Sequence, residues 1–292
     1  MSVQPACVPG DDTSADPPPV AVAVVAVRDR HRRGRSCWSA MEDYITLVSQ
    51  CTALRVTPMP LTCDDPADVA MRIAELSPPV SAVLLVGFDA ARSTAVQFSI
   101  AAEGGPVVVS EIDALTAAVA AATITKLRLR GIGLDHGRLA LLGGEHAPRL
   151  ESVVRAAGLE AALVHHAIEP TPTTLRQFMA GHDVVVDFTG LSSPWTMRAR
   201  TVSIPNDPYL YAALPLPGLL SALCGHDVID LTSTALAAAA RALALITPAD
   251  RILPDPNDQR LVPVVARHVS RTLTEPPGDS RRWLRSSSPH WI

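Results

Sequence analysis

Long apolar runs alternate with stretches of helical periodicity along this chain. Val20–Val27 is continuous and β-branched, the pattern of a strand buried on both faces. Ser39–Ala53 carries Met41, Ile45 and Val48 at helical spacing, and Ala53–Leu61 follows as a short strand and turn. Asp64-Asp65-Pro66 then opens a helix through Glu75, because Asp satisfies free N–H groups and Pro suits a first turn. Ala82–Phe88 and Pro106–Val109 read as two more buried strands. Together these predict a parallel sheet with helices on its faces. Ile112–Lys126 is one long Ala-rich helix leading out of it, and Arg130–His136 is a linker.

The rhythm then restarts. Arg138–Leu142 is a strand, Gly143-Gly144 a turn, Ala147–Ala157 a helix, Ala161–His165 a strand, Thr173–Ala180 a helix and Asp183–Phe188 a strand. That order predicts a small Rossmann-like unit, followed by helices at Thr232–Ile246 and Asp258–Arg271. The fold class is therefore α/β, with two parallel-sheet domains of which the second is Rossmann-like. Residues 1–19 are Pro- and Asp-rich and predicted disordered. The first domain spans 20–125, the second 126–250, a final helix packs back over 251–275, and 276–292 is a flexible tail.

Composition narrows the chemistry. Apolar residues make up 48% of the 292 but aromatics only 4%, so the core is built of Ala, Val, Leu and Ile. A net charge of −4 gives no global attraction to nucleic acid or to a membrane surface. No apolar stretch has the length of a membrane span. The five cysteines are scattered and form no C-x-x-C, which fits reduced thiols in a cytoplasm. Lys126 is the one lysine among 25 basic residues, so a single side chain can serve as an amine base, and it reads as a solvated lysine at a helix end. The basic loop Arg28–Arg35 reads as a solvated loop or, alternatively, as a grip for phosphate or RNA.

Three C-terminal segments, LPLPGLLSAL (Leu214–Leu223), TSTALAAAARALA (Thr232–Ala244) and RILPDPNDQRLVPVVARHV (Arg251–Val269), together resemble the end of a malic enzyme. GFDAARS (Gly87–Ser93), PVVVSEIDALTAA (Pro106–Ala118) and LALLGGEHAPRLESVVRAAG (Leu139–Gly158) fall where that family carries its metal ligands and its dinucleotide turn. The resemblance runs from about Val20 to Leu273. It implies oxidation of malate with NAD(P) and decarboxylation of a metal-bound oxaloacetate, with a Lys base and a Tyr acid.

Residue by residue, the chain departs from that requirement. Met41-Glu42-Asp43-Tyr44 stands where the resemblance places the lysine. Val86-Gly87 replaces the Glu-Asp pair, leaving Asp89 and Glu111 as remaining candidates for Mg²⁺ or Mn²⁺, or else as ordinary surface carboxylates. Gly143 keeps the first position of the dinucleotide turn beside Gly144, but Glu145 and Pro148 occupy the next two. His165-His166 replaces the ribose-binding acid; His166 could face a 2′-phosphate or be an ordinary polar residue at a strand end. Tyr211-Ala212 replaces the substrate-binding Asn pair, leaving Asn206 nearby.

Two readings follow. One is a malic-enzyme-like protein without catalysis, a scaffold or regulatory homologue that needs no cofactor and forms a homodimer or a heterodimer with a malic-enzyme paralogue. The other is a divergent oxidoreductase acting on malate or a related 2-hydroxy acid, with NAD(P) and Mg²⁺ or Mn²⁺.

Overall fold

The computed structural model describes residues 21–27, 36–76, 80–159, 164–166 (backbone only), 181–189, 200–205, 207–226 and 228–274. The segments read from sequence as a disordered start (1–19), a basic loop (Arg28–Arg35), a helix at Thr173–Ala180 and a C-terminal tail (276–292) lie outside the described residues, as does Asn206.

The first sheet is parallel throughout. Its elements are β1 (Ala21–Val27), α1 (Cys37–Cys51), β2 (Arg55–Leu61), α2 (Pro66–Ala74), β3 (Ala82–Val86), α3 (Ala90–Ala102) and β4 (Val107–Ser110), with strand order β2-β1-β3-β4. The β-branched runs are buried because helices cover both faces. Val25, Val27, Val83 and Leu85 point to the side of α2 and α3, whereas Val22, Val24, Leu84 and Val86 point to the side of α1. Asp65 caps α2 by accepting from the N–H groups of Ala67 and Asp68, with Pro66 in the first turn, as the sequence indicates. Helix α3 does not announce itself in the sequence: among its buried residues only Val96 and Ile100 are large apolar side chains.

Edge strand β2 carries Pro58 and Pro60, which pair in register with Val24 and Ala26 of β1. Proline has no N–H to give a ladder, so the two occupy positions whose nitrogens face away from β1. They blunt the exposed edge of the sheet.

Helix α4 (Glu111–Leu129) starts at the carboxyl end of β4 in a capping box, the Ser110 hydroxyl accepting from Asp113 N while Asp113 accepts from Ser110 N. It is buried at every position from Asp113 to Thr123. A helix apolar on all sides belongs in a core rather than on a surface, and α4 is the spine between the two sheets.

The second sheet, also parallel, has the order β6-β5-β7-β8, with β5 (Leu139–Leu142), β6 (Val164–His166), β7 (Val184–Asp187) and β8 (Thr201–Ser203). A 3-10 turn at Gly144–His146 precedes α5 (Leu150–Ala156), and α6 (Tyr209–Ala212), α7 (Leu216–Cys224), α8 (Ser233–Ile246) and α9 (Leu261–Thr274) follow. Helix α4 packs on α8, α5, α6, β7 and β8 and also on β3 and β4, so one apolar cluster joins Val24 and Val86 of the first sheet to Leu141 and Val186 of the second. The final helix buries Leu261, Val265 and Val269, packing on α7 and α8; α7 in turn touches α1 and β3. The Arg128 guanidinium donates to the carbonyls of Ala244 and Thr247, tying the end of α4 to the end of α8. Among the described residues no helix is long and apolar enough to cross a membrane.

Candidate functional site

Ligands of open parallel α/β sheets bind beyond the carboxyl ends of the strands. Because α4 runs from the end of β4 to the approach to β5, its first turn lies at that edge and its last turn at the opposite one. Lys126 is therefore displaced from Glu111 by about 22 Å along the axis, at about 1.5 Å per residue. It is half-buried rather than solvated, and desolvation lowers its ammonium pKa. The one lysine in the sequence is thus at the opposite end of the helix from Glu111.

Glu111 heads α4 and is 4% exposed. Its Oε1 accepts from the Tyr44 hydroxyl at 2.9 Å. Tyr44 lies on the buried face of α1 with Ala40, Met41 and Val48, and its ring meets that of Tyr209 on α6 at 4.9 Å with a 56° tilt, within the range of favourable aromatic pairs. Nothing in the sequence marks Tyr44 as the partner of Glu111, although it stands in the segment where the resemblance calls for the lysine.

Of the two positions where the resemblance calls for a carboxylate pair, Val86 carries a buried side chain and Gly87 is closed sterically. Gly87 has φ +91°, and a Cβ built there would stand 2.5 Å from the carbonyl oxygen of Val27. The next carboxylate, Asp89, caps α3 by accepting from Arg92 N at 2.8 Å and lies 3.6 Å from the Arg92 guanidinium. Asp89 thus serves α3, and Glu111 faces α1 on the other side of the sheet. Among the described residues no three His, Cys, Asp or Glu side chains are grouped as a metal ion would need. Asp89 and Glu111, engaged on opposite sides of the sheet, do not converge as the donor set of an octahedral divalent cation.

Two residues further along α4, Asp113 is a second buried carboxylate, 3% exposed. Its Oδ2 accepts from Ser110 N at 2.9 Å, Ser110 Oγ at 2.6 Å and Gln97 Nε2 at 2.6 Å, and its Oδ1 accepts from Arg149 Nη1 at 3.0 Å. Ser110-x-x-Asp113 is legible as a capping box; its partner 36 residues on is not. The cavity between α3, the first turn of α4 and Pro148-Arg149 has a volume of about 10 Å³, at the limit for one water molecule.

In the turn after β5, Gly143 adopts the left-handed conformation at φ +72° and Gly144 begins the 3-10 turn. The sequence places the following helix from Ala147; it starts instead at Leu150, because Gly144–His146 and Pro148 take the chain through a tighter turn first. The His146 ring lies nearly parallel to Phe188 at 6.5 Å beside that turn. His166 ends β6, in register with Leu142 of β5, and its side chain lies outside the described residues. Tyr211 is half-buried, which raises its phenol pKa, and its hydroxyl donates to the Ser203 carbonyl at 3.4 Å. The structure brings Glu111 to Tyr44 and leaves Asp89 with α3 and Gly143-Gly144 with the second sheet.

No family model and no curated protein matches the chain in sequence. Solved structures do match it in fold. Malic enzyme from Pyrococcus horikoshii superposes with a TM-score of 0.67 at 15% identity, over 87% of this chain and 76% of that one. Malic enzyme from Entamoeba histolytica gives 0.71 at 14% identity, over 87% and 69%. The NAD-dependent malic enzyme from Thermotoga maritima gives 0.65 at 16% identity, over 86% and 84%. The architecture of the chain is that of malic enzymes.

Proposed function

We propose that this chain uses the malic-enzyme fold without malic-enzyme chemistry, as a non-catalytic binding or assembly subunit in the cytoplasm. The observation that carries this reading is at Gly87, where the backbone leaves no room for a side chain at one of the two positions where the resemblance calls for metal ligands. Glu111, the carboxylate closest to the third ligand's place, is meanwhile bonded to a phenol. A base, a metal and a substrate clamp are chemically independent requirements, and all three are unmet by the residues at their positions. The subunit assembles with itself or with an intact paralogue of the same fold.

The test is a direct assay of malate with NAD or NADP in the presence of Mg²⁺ or Mn²⁺, read as formation of the reduced nucleotide. No turnover is expected. Metal-dependent turnover abolished by Glu111→Ala would overturn the reading. Thermal-shift measurements with NAD, NADP, ATP and malate plus Mn²⁺ report binding apart from catalysis, since a ligand of the native state raises its melting temperature. Light scattering at micromolar concentration reports assembly.

One observation favours the second reading, a divergent NAD(P)-dependent oxidoreductase acting on malate or a related 2-hydroxy acid. Gly143 keeps the left-handed turn between β5 and the following helix, the place where a dinucleotide fold turns toward its pyrophosphate. A clear melting-temperature rise with NAD or NADP supports that reading.

A further inference from the structure

Arg149 sits at the start of α5, where a cation is out of place. The helix N-terminus carries the positive end of the backbone dipole, and no side chain caps α5. Local preference calls for Ser, Asp or Asn at this position. A residue that violates local rules at a helix start must be accounted for by something non-local.

That account lies across the contact between α5 and the head of α4. Arg149 Nη1 donates to Asp113 Oδ1 at 3.0 Å, and Arg149 Nη2 donates to the carbonyl of Leu231 just ahead of α8. The Asp113 carboxylate is set in place from the first sheet's side, by Ser110 at the end of β4 and by Gln97 on α3. Arg149 is set from the second sheet's side, by α5, where Ser152 Oγ also lies 2.8 Å from Ser233 Oγ at the start of α8. The acid is 4% exposed and the guanidinium 26% exposed at their side chains. A pair this enclosed is held by fixed partners on both sides, and removing one member leaves a buried charge uncompensated. Pro148 and Arg149 together close the gap against Ala90, Ser93 and Gln97 to about 10 Å³.

We propose that Arg149 is a built-in latch: it bridges from α5 to Asp113 and holds the second sheet shut against the head of α4. The inference stands on this geometry and holds whether or not any turnover remains.

Amide hydrogen exchange on the full chain tests it, comparing wild type with Arg149→Gln and with the double variant Asp113→Asn plus Arg149→Gln. The double variant removes both charges, so no buried charge is stranded and folding is preserved. Arg155→Gln, which breaks only the solvent-exposed Arg155–Glu151 pair on the same helix, is the control. Both latch variants are expected to exchange at least about tenfold faster in α5 and in the first turns of α4 and α8, with β1 and β3 unchanged. Small-angle scattering is expected to show a larger radius of gyration. Unchanged exchange at those segments overturns the proposal. So does a uniform rise over both sheets, which would make the pair a general stabiliser. A double variant that does not fold overturns it too, because a latch is dispensable to folding.

Discussion

The Tyr44 hydroxyl donates to Glu111 Oε1 at 2.9 Å, joining two enclosed side chains 67 positions apart. A phenol on α1 thereby occupies the carboxylate that heads α4. A hydrogen bond to a carboxylate contributes about 1.5–3 kcal/mol, so Tyr44→Phe is expected to lower stability by about that amount while keeping the ring contact with Tyr209. Glu111→Gln keeps an acceptor oxygen and should cost less. Urea unfolding measures both; a Tyr44→Phe midpoint equal to wild type would show that ring packing, and not the bond, fixes Tyr44.

Gly87 sets a limit on rebuilding a metal site. Gly87→Asp combines a left-handed backbone conformation with a Cβ 2.5 Å from the Val27 carbonyl oxygen, and strain of this kind costs on the order of 1–3 kcal/mol or more. The variant is expected to melt lower and to gain no Mn²⁺ binding by calorimetry. Tight Mn²⁺ binding would mean the strand end relaxes to admit a carboxylate.

Burial pushes the Cys224 thiol up to about 12 from an ordinary value of 9.0. Between those values the folded chain keeps a proton that the unfolded chain has lost, so stability is retained below pH 9 and falls as the pH rises toward 12. The slope is at most about 1.4 kcal/mol per pH unit, less for a thiol with partial solvent access. Lys126, whose pKa burial lowers, acts in the opposite sense: its unfolded form holds more protons in the alkaline range, and stability rises with pH there. Unfolding midpoints of Cys224→Ala should fall less steeply than wild type above pH 9. Parallel curves would assign the alkaline loss to other groups.

Pro58 and Pro60 keep the outward edge of β2 without two of its N–H donors. Replacing both with Val restores those donors on a strand of high β-propensity. The double variant is expected to self-associate at concentrations where wild type does not, as light scattering would report. A variant no more prone to associate than wild type would show that something else guards the edge.

The long apolar strands and the long helix are legible because their patterns are strong, whereas the three-residue β8 (Thr201–Ser203) carries no such signal. Val20–Val27 and Ala82–Phe88 contain the observed β1 and β3, and Ile112–Lys126 lies within α4. Helix α3 was missed because AARSTAVQFSIAA mixes small residues and polar ones, and its largest apolar side chain, Phe98, points to solvent at 76% exposure. The start of α5 was misplaced because the tight turn after Gly143 delays the helix, which local propensity does not report. At the candidate site the sequence located the turn at Gly143-Gly144 and the carboxylate at Glu111. It did not locate Tyr44 as the partner of Glu111 or Arg149 as the partner of Asp113, since those meetings depend on how α1 and α5 dock on α4, a matter of tertiary packing rather than spacing.

The interior of α4 has a consequence for dividing the molecule. Ala114, Ala117, Ala118, Ala120, Ala121 and Ala122 let both sheets and α8 approach one slender rod from every side. A fragment ending within that rod would leave each half with an unroofed apolar wall, so neither should be obtainable as a soluble piece. The halves share one inheritance: transplanting either into another protein requires carrying α4 whole, together with a substitute for the face it loses.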